Sequence, residues 1–339
     1  MFRENLWAYC LIAVYACFVS AVAIALGRPQ NIPGFGYLST WVMVPALLAV
    51  GFTAFSVVAA VRAGESFRDF AARLRHLTQP PVLSGMALFL ALGFFQGSFT
   101  AMKTMMPLIA PFSWDPFLAD VDAMLHGGDA WRLLPHSEIF TRLLLVAYLP
   151  LWIALLVVVN LQVCLLAERE TRARYLKTFF FCWIFLGNVL ALAFMSAGPI
   201  FFEQVTGDAR FDDLLRYFEF TRDMPSSNLN VADYLWSAYA GHDSAQGSGI
   251  SAFPSLHLAM ATLWTATFWK MRPRLGYILA GYTVLILIGS IHLGWHYAID
   301  GYASIALTLA AWWLFGKNWS GREDSNLRPL PPEDSALPG

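Results

Sequence analysis

The chain has 339 residues, of which 58% are hydrophobic and only 13% charged, with a net charge of −1. A soluble domain carries about 25% charged residues, so the composition excludes an ordinary water-soluble globular protein and points to the lipid bilayer. The near-neutral charge offers no electrostatic footprint for nucleic acid. The four cysteines, Cys10, Cys17, Cys164 and Cys182, each lie inside an apolar run without C-x-x-C spacing, and read as small lipid- or core-facing residues.

A helix needs about 20 apolar residues to cross the hydrocarbon core. Runs at 6–26, 38–61, 82–106, 143–166, 176–197, 275–293 and 296–316 meet that length, and a shorter one at 256–269 follows a polar cluster. Together they predict an all-α polytopic membrane protein of about eight transmembrane helices, with no long-period repeat. Lys and Arg placement sets the orientation. Only Arg28, Lys103, Arg132, Arg142, Arg210, Arg216 and Arg222 fall on one side, and the other fifteen of the 22 fall on the opposite side. The bias puts both termini in the cytoplasm. It also supports 256–269 as a true span, since without it Lys270, Arg272 and Arg274 would sit on the wrong side.

The first run contains Ala21-Val22-Ala23, a small-residue site of the kind found in cleaved signal peptides. Its apolar stretch is too long for a usual signal-peptide core, so it reads as a retained anchor. Residues 27–36 form an outer turn rich in Gly and Pro. The basic segment 62–81, ending in Pro80-Pro81, is expected to lie on the cytoplasmic surface. Lys103 stands near the outer end of the third run, either snorkelling to the interface or facing a pocket that holds an anion. Residues 111–138 are too polar to span and read as an outer amphipathic segment with aromatic anchors, placed to roof a site. A metal reading of its Asp and His residues is disfavoured, because Asp120 and Asp122 would point to different helix faces. Arg142 opens the fourth run as a second candidate anion clamp, and Pro150 predicts a kink within it. A loop of about fifty residues follows Pro199, and stretches that long are commonly functional; its part near 208–221 reads as a short amphipathic helix. The tail 317–339 reads as disordered. The expected organisation is therefore N-terminal helices at 1–110, the outer segment at 111–138, a catalytic core at 139–316 and the tail.

The chemistry concentrates in two clusters. One reads Phe253-Pro-Ser-Leu-His257 and the other Ser290-Ile-His292-Leu-Gly-Trp-His296-Tyr-Ala-Ile-Asp300. Ionisable groups inside apolar runs are costly, so function is the default hypothesis. The charge bias places both clusters on the outer face, where six of the seven histidines fall, all but His76. On a helix His296 and Asp300 are one turn apart, so the carboxylate accepts the N–H of one ring nitrogen and leaves the other as a nucleophile. His257 supplies a general acid. Ser255 and the free N–H groups at the start of the short sixth span form a cradle for a phosphate.

These residues resemble the second and third motifs of the type 2 phosphatidic acid phosphatase superfamily, most closely its inositol phosphorylceramide synthase (aureobasidin-resistance) branch, over about residues 175–316. The resemblance implies a six-helix core, a lipid phosphate substrate in the membrane, and no metal or other cofactor. It implies His296 as the nucleophile that becomes phosphohistidine, Asp300 as its orienting acid and His257 as the proton donor. It also implies phosphatase or phosphotransferase activity, such as transfer of a phosphoinositol head group to a lipid hydroxyl. The departures are specific. In the region of the first motif, Lys-x6-Arg-Pro, Gly198 stands where Arg is expected and no Lys is present. Ser290 takes the arginine position of the third motif, and Leu256 replaces a glycine of the second. Replacement cations are Lys103, Arg142 or a loop arginine, with His292 a further candidate. Two other readings compete. One is a non-catalytic lipid-phosphate binder or flippase that keeps the pocket. The other is a metal-dependent intramembrane hydrolase ligated by His292, His296 and Asp300.

Overall fold

The computed structural model describes residues 3–34, 38–63, 66, 75, 79–241 and 247–323. In chain order the helices are α1 (Leu6–Ala25), α2 (Leu38–Ala63), α3 (Pro80–Ile109), α4 (Asp115–His126), α5 (Glu138–Leu166) and α6 (Arg169–Ala193). The short α7 (Phe202–Thr206), α8 (Asp212–Tyr217) and α9 (Asn228–Gly241) follow, then α10 (Leu256–Met271), α11 (Pro273–His292) and α12 (Ala298–Glu323). Each of the eight apolar runs is helical, and no strand occurs among the described residues. The protein is an all-α polytopic membrane protein; among the described residues six helices, namely α1, α3, α5, α6, α11 and α12, are long and apolar enough to cross a bilayer. Large apolar side chains such as Val14, Phe55, Ile139 and Ile278 point outward. A bilayer permits this because lipid, not water, is the solvent on that surface.

Helix starts follow the local sequence. α3 and α11 begin with Pro at the first turn, where the missing N–H costs nothing. α10 begins at Ser255, whose hydroxyl accepts from the Leu258 N–H at 3.5 Å. Only Arg272 separates α10 from α11, so the two form a tight antiparallel pair, and α12 also packs against α10. α10 has 16 residues, about 24 Å at 1.5 Å per residue against a core of about 30 Å. Its start is tied to the first turn of α12 through the Ser255 N–H on the Asp300 carbonyl.

Several expectations need adjustment. α5 starts at Glu138, five residues before the apolar run itself. Instead of a simple kink, Pro150 sits in a π-helical turn, Ala147–Leu151. The Tyr282 hydroxyl donates to the Ala147 carbonyl there at 2.8 Å, in keeping with the way neighbouring side chains re-satisfy backbone around a membrane proline. A second π-helical stretch, Phe181–Leu190, runs through α6. The loop after Pro199 is largely ordered into α7, α8 and α9. The start of the tail, Lys317–Glu323, continues α12, while 324–339 lie outside the described residues. So do most of 62–81, including His76, and His242. The described cysteines are all free.

Candidate active site

α11 ends at His292, and the chain reverses through Gly294, at φ +76°, before α12 begins at Ala298. The turn is pinned by the Ile200 N–H on the Gly294 carbonyl at 2.8 Å and by the His296 N–H on the Ser290 carbonyl at 3.1 Å. The His296 ring thereby comes 3.3 Å, Nδ1 to Oδ2, from Asp300. Asp300 is fully buried, and the same Oδ2 accepts from the Tyr297 N–H at 3.1 Å. One carboxylate oxygen thus caps the first turn of α12 and holds the imidazole. With Nδ1 engaged, Nε2 is the ring nitrogen left for chemistry.

His257 lies in the first turn of α10. Its ring stacks on Tyr148 (centroids 4.5 Å apart, planes 16° apart) and leans on Trp152 at 4.2 Å. The Trp152 Nε1–H donates to the His257 carbonyl at 3.2 Å. This aromatic pair comes from the π-helical part of α5 and the residue just after it. It faces His257 toward His296, with the two imidazole centroids 6.4 Å apart.

Both histidines line one cavity of about 510 Å³. Its apolar lining is formed by Trp41 of α2, Phe99 of α3, Leu145, Leu149, Ile153, Leu156 and Val157 of α5, and Trp183 of α6. The lining also includes Lys103, Ser248, Gly249, Ser251, His257 and His296. Among the described residues lining it, Lys103 is the one lysine or arginine. Gly249, at φ +96°, lies directly on the Lys103 side chain: a Cβ there would come within 2.9 Å of its Cγ. The lining is mostly apolar, with Lys103, the serines and the two histidines as polar groups within it. It also draws on residues either side of the boundary expected near 110.

The structure does not bring the other sequence candidates to this cavity. Ser255 is fully buried as the cap of α10, with its N–H on the Asp300 carbonyl at 3.4 Å, and ties the two motifs together. Arg142 lies at the surface, 3.4 Å from Asp223. His292 is buried in a separate box, with Nε2 2.8 Å from the Thr141 hydroxyl and its ring among His136, Phe140, Tyr217 and Phe218. It therefore does not join His296 and Asp300 in a ligand set. Among the described residues, no group of three or more His, Cys, Asp or Glu is placed to hold a metal ion.

Sequence reasoning missed two carboxylates. Asp115 and Asp122, two turns apart on one face of α4, are both buried. Asp115 accepts from the Ala197 and Gly198 N–H groups, each at 2.8 Å, and from the Tyr297 hydroxyl at 2.9 Å. Asp122 accepts from the Ile299 N–H at 3.1 Å. Burial pushes both carboxyls up from their ordinary value, against the hydrogen bonds that pull them down. The available signal was the seven-residue spacing of Asp115 and Asp122. The position expected to carry the first-motif arginine is closed: Gly198 has φ +91°, and a Cβ there would sit 2.5 Å from the Trp295 carbonyl oxygen. Its N–H points to a carboxylate instead of presenting a cation.

Residues 116–314, more than half of the chain, match the model of the PAP2 superfamily. The match begins well before the stretch in which the two motifs lie and takes in most of α4. No curated protein and no solved structure matches the chain.

Proposed function

The chain belongs to the PAP2 superfamily, and from that membership we propose that it is an integral-membrane lipid phosphatase or phosphotransferase working through a phosphohistidine. The observation that carries the reading is that His257 and His296 line a single, mostly apolar cavity while Asp300 holds Nδ1 of His296. His296 Nε2 attacks phosphorus as the bond from phosphorus to the leaving oxygen breaks, and His257 gives its proton to that oxygen. In the second half-reaction an acceptor hydroxyl, from water or a lipid, loses its proton to His257. Its oxygen bonds phosphorus, the P–N bond breaks, and the electron pair returns to His296. Lys103 offsets the charge on the phosphoryl oxygens, the kind of electrostatic stabilisation that usually dominates such reactions.

The finer reading is head-group transfer. A phosphodiester carries one negative charge and a phosphomonoester up to two, and Lys103 is the one lysine or arginine among the described residues lining the cavity. That balance favours a diester lipid, such as one with a phosphoinositol head, and a lipid hydroxyl as acceptor. The Lys and Arg bias of the sequence supports a site on the outer face of the cell membrane with both termini in the cytoplasm. The test uses purified protein in detergent micelles with ³²P-labelled phosphatidic acid or phosphatidylinositol, with and without ceramide, quenched in alkali to preserve phosphohistidine. Wild type is expected to retain label and release product, whereas His296→Ala does neither. Turnover of His296→Ala at the wild-type rate overturns the reading.

A further inference from the structure

α4 is built the reverse of a soluble amphipathic helix. Its buried face carries Asp115, Leu118, Ala119 and Asp122, while Phe117, Met124 and Leu125 are exposed. Burying two carboxylates is costly unless each is hydrogen-bonded; Asp122 finds its partner on the backbone just after His296, and Asp115 finds its partners on the loop after α6 and on the Tyr297 hydroxyl. We propose that Asp115 and Asp122 are positioning residues for His296, acting from a separate helix as two pins on the residues that follow it. The proposal rests on the assignment of His296 as the nucleophile.

The geometry gives each pin a distinct task. Asp122 accepts from the Ile299 N–H, the second donor of α12, and so caps from outside the helix that carries Asp300. Asp115 divides its two oxygens among three donors. Oδ2 takes the Ala197 N–H, and Oδ1 takes both the Gly198 N–H and the Tyr297 hydroxyl. It therefore ties the residue next to His296 to the loop after α6. That loop is tied in turn to the His296 turn through the Ile200 N–H on the Gly294 carbonyl. Neither aspartate lines the large cavity, although Asp122 shares with His296 and Tyr297 a second cavity of about 10 Å³. Their effect passes through Tyr297 and Ile299 to the His296–Asp300 pair.

The hydrogen-bond count separates positioning from mere folding. Asp122→Asn keeps a carbonyl oxygen for the Ile299 N–H while giving up the charge that faces the Ala298 N–H and His126, and Asp122→Ala keeps neither. Asp115→Asn keeps one oxygen where two are used, and its NH₂ group faces a backbone donor. The experiment measures single-turnover formation of ³²P-phosphohistidine together with kcat and KM for the labelled phospholipid that wild type turns over. Thermal melting and gel filtration establish the folded fraction of each variant. Expected are near wild-type rates for Asp122→Asn, and kcat losses of about 10²-fold per folded molecule for Asp122→Ala and Asp115→Asn, with KM within about threefold. A misplacement of about 1 Å costs a loss of that order. Asp122→Ala and Asp115→Asn proteins that melt earlier but keep wild-type kcat per folded molecule overturn the proposal, as does equal loss in Asp122→Asn and Asp122→Ala. His296→Ala, run alongside, separates this from failure of the nucleophile assignment: if that variant still turns over, the assignment itself falls.

Discussion

Lys103→Met tests where the phosphate clamp comes from. The substitution removes the one lysine or arginine among the described residues lining the cavity and keeps an unbranched stem of similar length for Gly249 to pack against. Removing a single donor from a site that stabilises developing oxyanion charge costs about 10²–10³ in rate, or about 2.7–4 kcal/mol. No second lysine or arginine stands among the described lining residues, so the expected loss in kcat/KM is at the upper end, about 10³-fold. Arg142 offers no substitute, being held at the surface by Asp223. The assay is initial-rate product release from labelled phospholipid in micelles, with thermal melting as the control for folding. Lys103→Arg keeps the charge and is expected to lie between the variant and wild type. A kcat/KM for Lys103→Met within tenfold of wild type would refute the reasoning and move the clamp to another group, such as an arginine of the loop after Pro199.

Restoring the family's arginine should fail. Gly198→Arg meets the Trp295 carbonyl oxygen and an unfavourable φ, so it is expected to lower the melting temperature and abolish turnover; a gain in rate would contradict the geometry. His257→Ala should lose at least 10²-fold on a lipid alkoxide leaving group but much less on a p-nitrophenyl phosphodiester, whose phenolate departs without a proton. Equal losses on both would remove His257 as the acid. Leu156→Trp narrows the mostly apolar cavity and is expected to raise KM for a long-chain lipid while sparing a dibutyryl analogue. Equal effects on both chain lengths would argue against the cavity as the acyl site.

Much of the site was legible in the sequence because its logic is local. His296 and Asp300 are four residues apart, and the pairing survives even though α12 begins only at Ala298, since Asp300 reaches back to both the ring and the Tyr297 N–H. The helices were legible because a bilayer demands long apolar runs whatever they pack against. Arg142 and His292 illustrate the opposite case. Both lie near the expected face, but the side chain's direction depends on neighbours far along the chain: Asp223 draws Arg142 outward, and Thr141 with its aromatic surroundings holds His292 apart. The roles of Asp115 and Asp122 were hidden for the same reason, because their partners are 82 and 177 residues away.

Composition and periodicity, then, determined by themselves an all-α membrane protein with its ionisable groups at the ends of apolar runs, because the cost of charge in hydrocarbon leaves few other arrangements. The tertiary structure decided which of those groups share a cavity. It joined Lys103 of α3, the aromatic pair of α5 and the two histidines around one mostly apolar cavity, and it closed the arginine position at Gly198 against the Trp295 backbone. Convergence of side chains from separate helices is fixed by packing, which no single stretch of sequence contains.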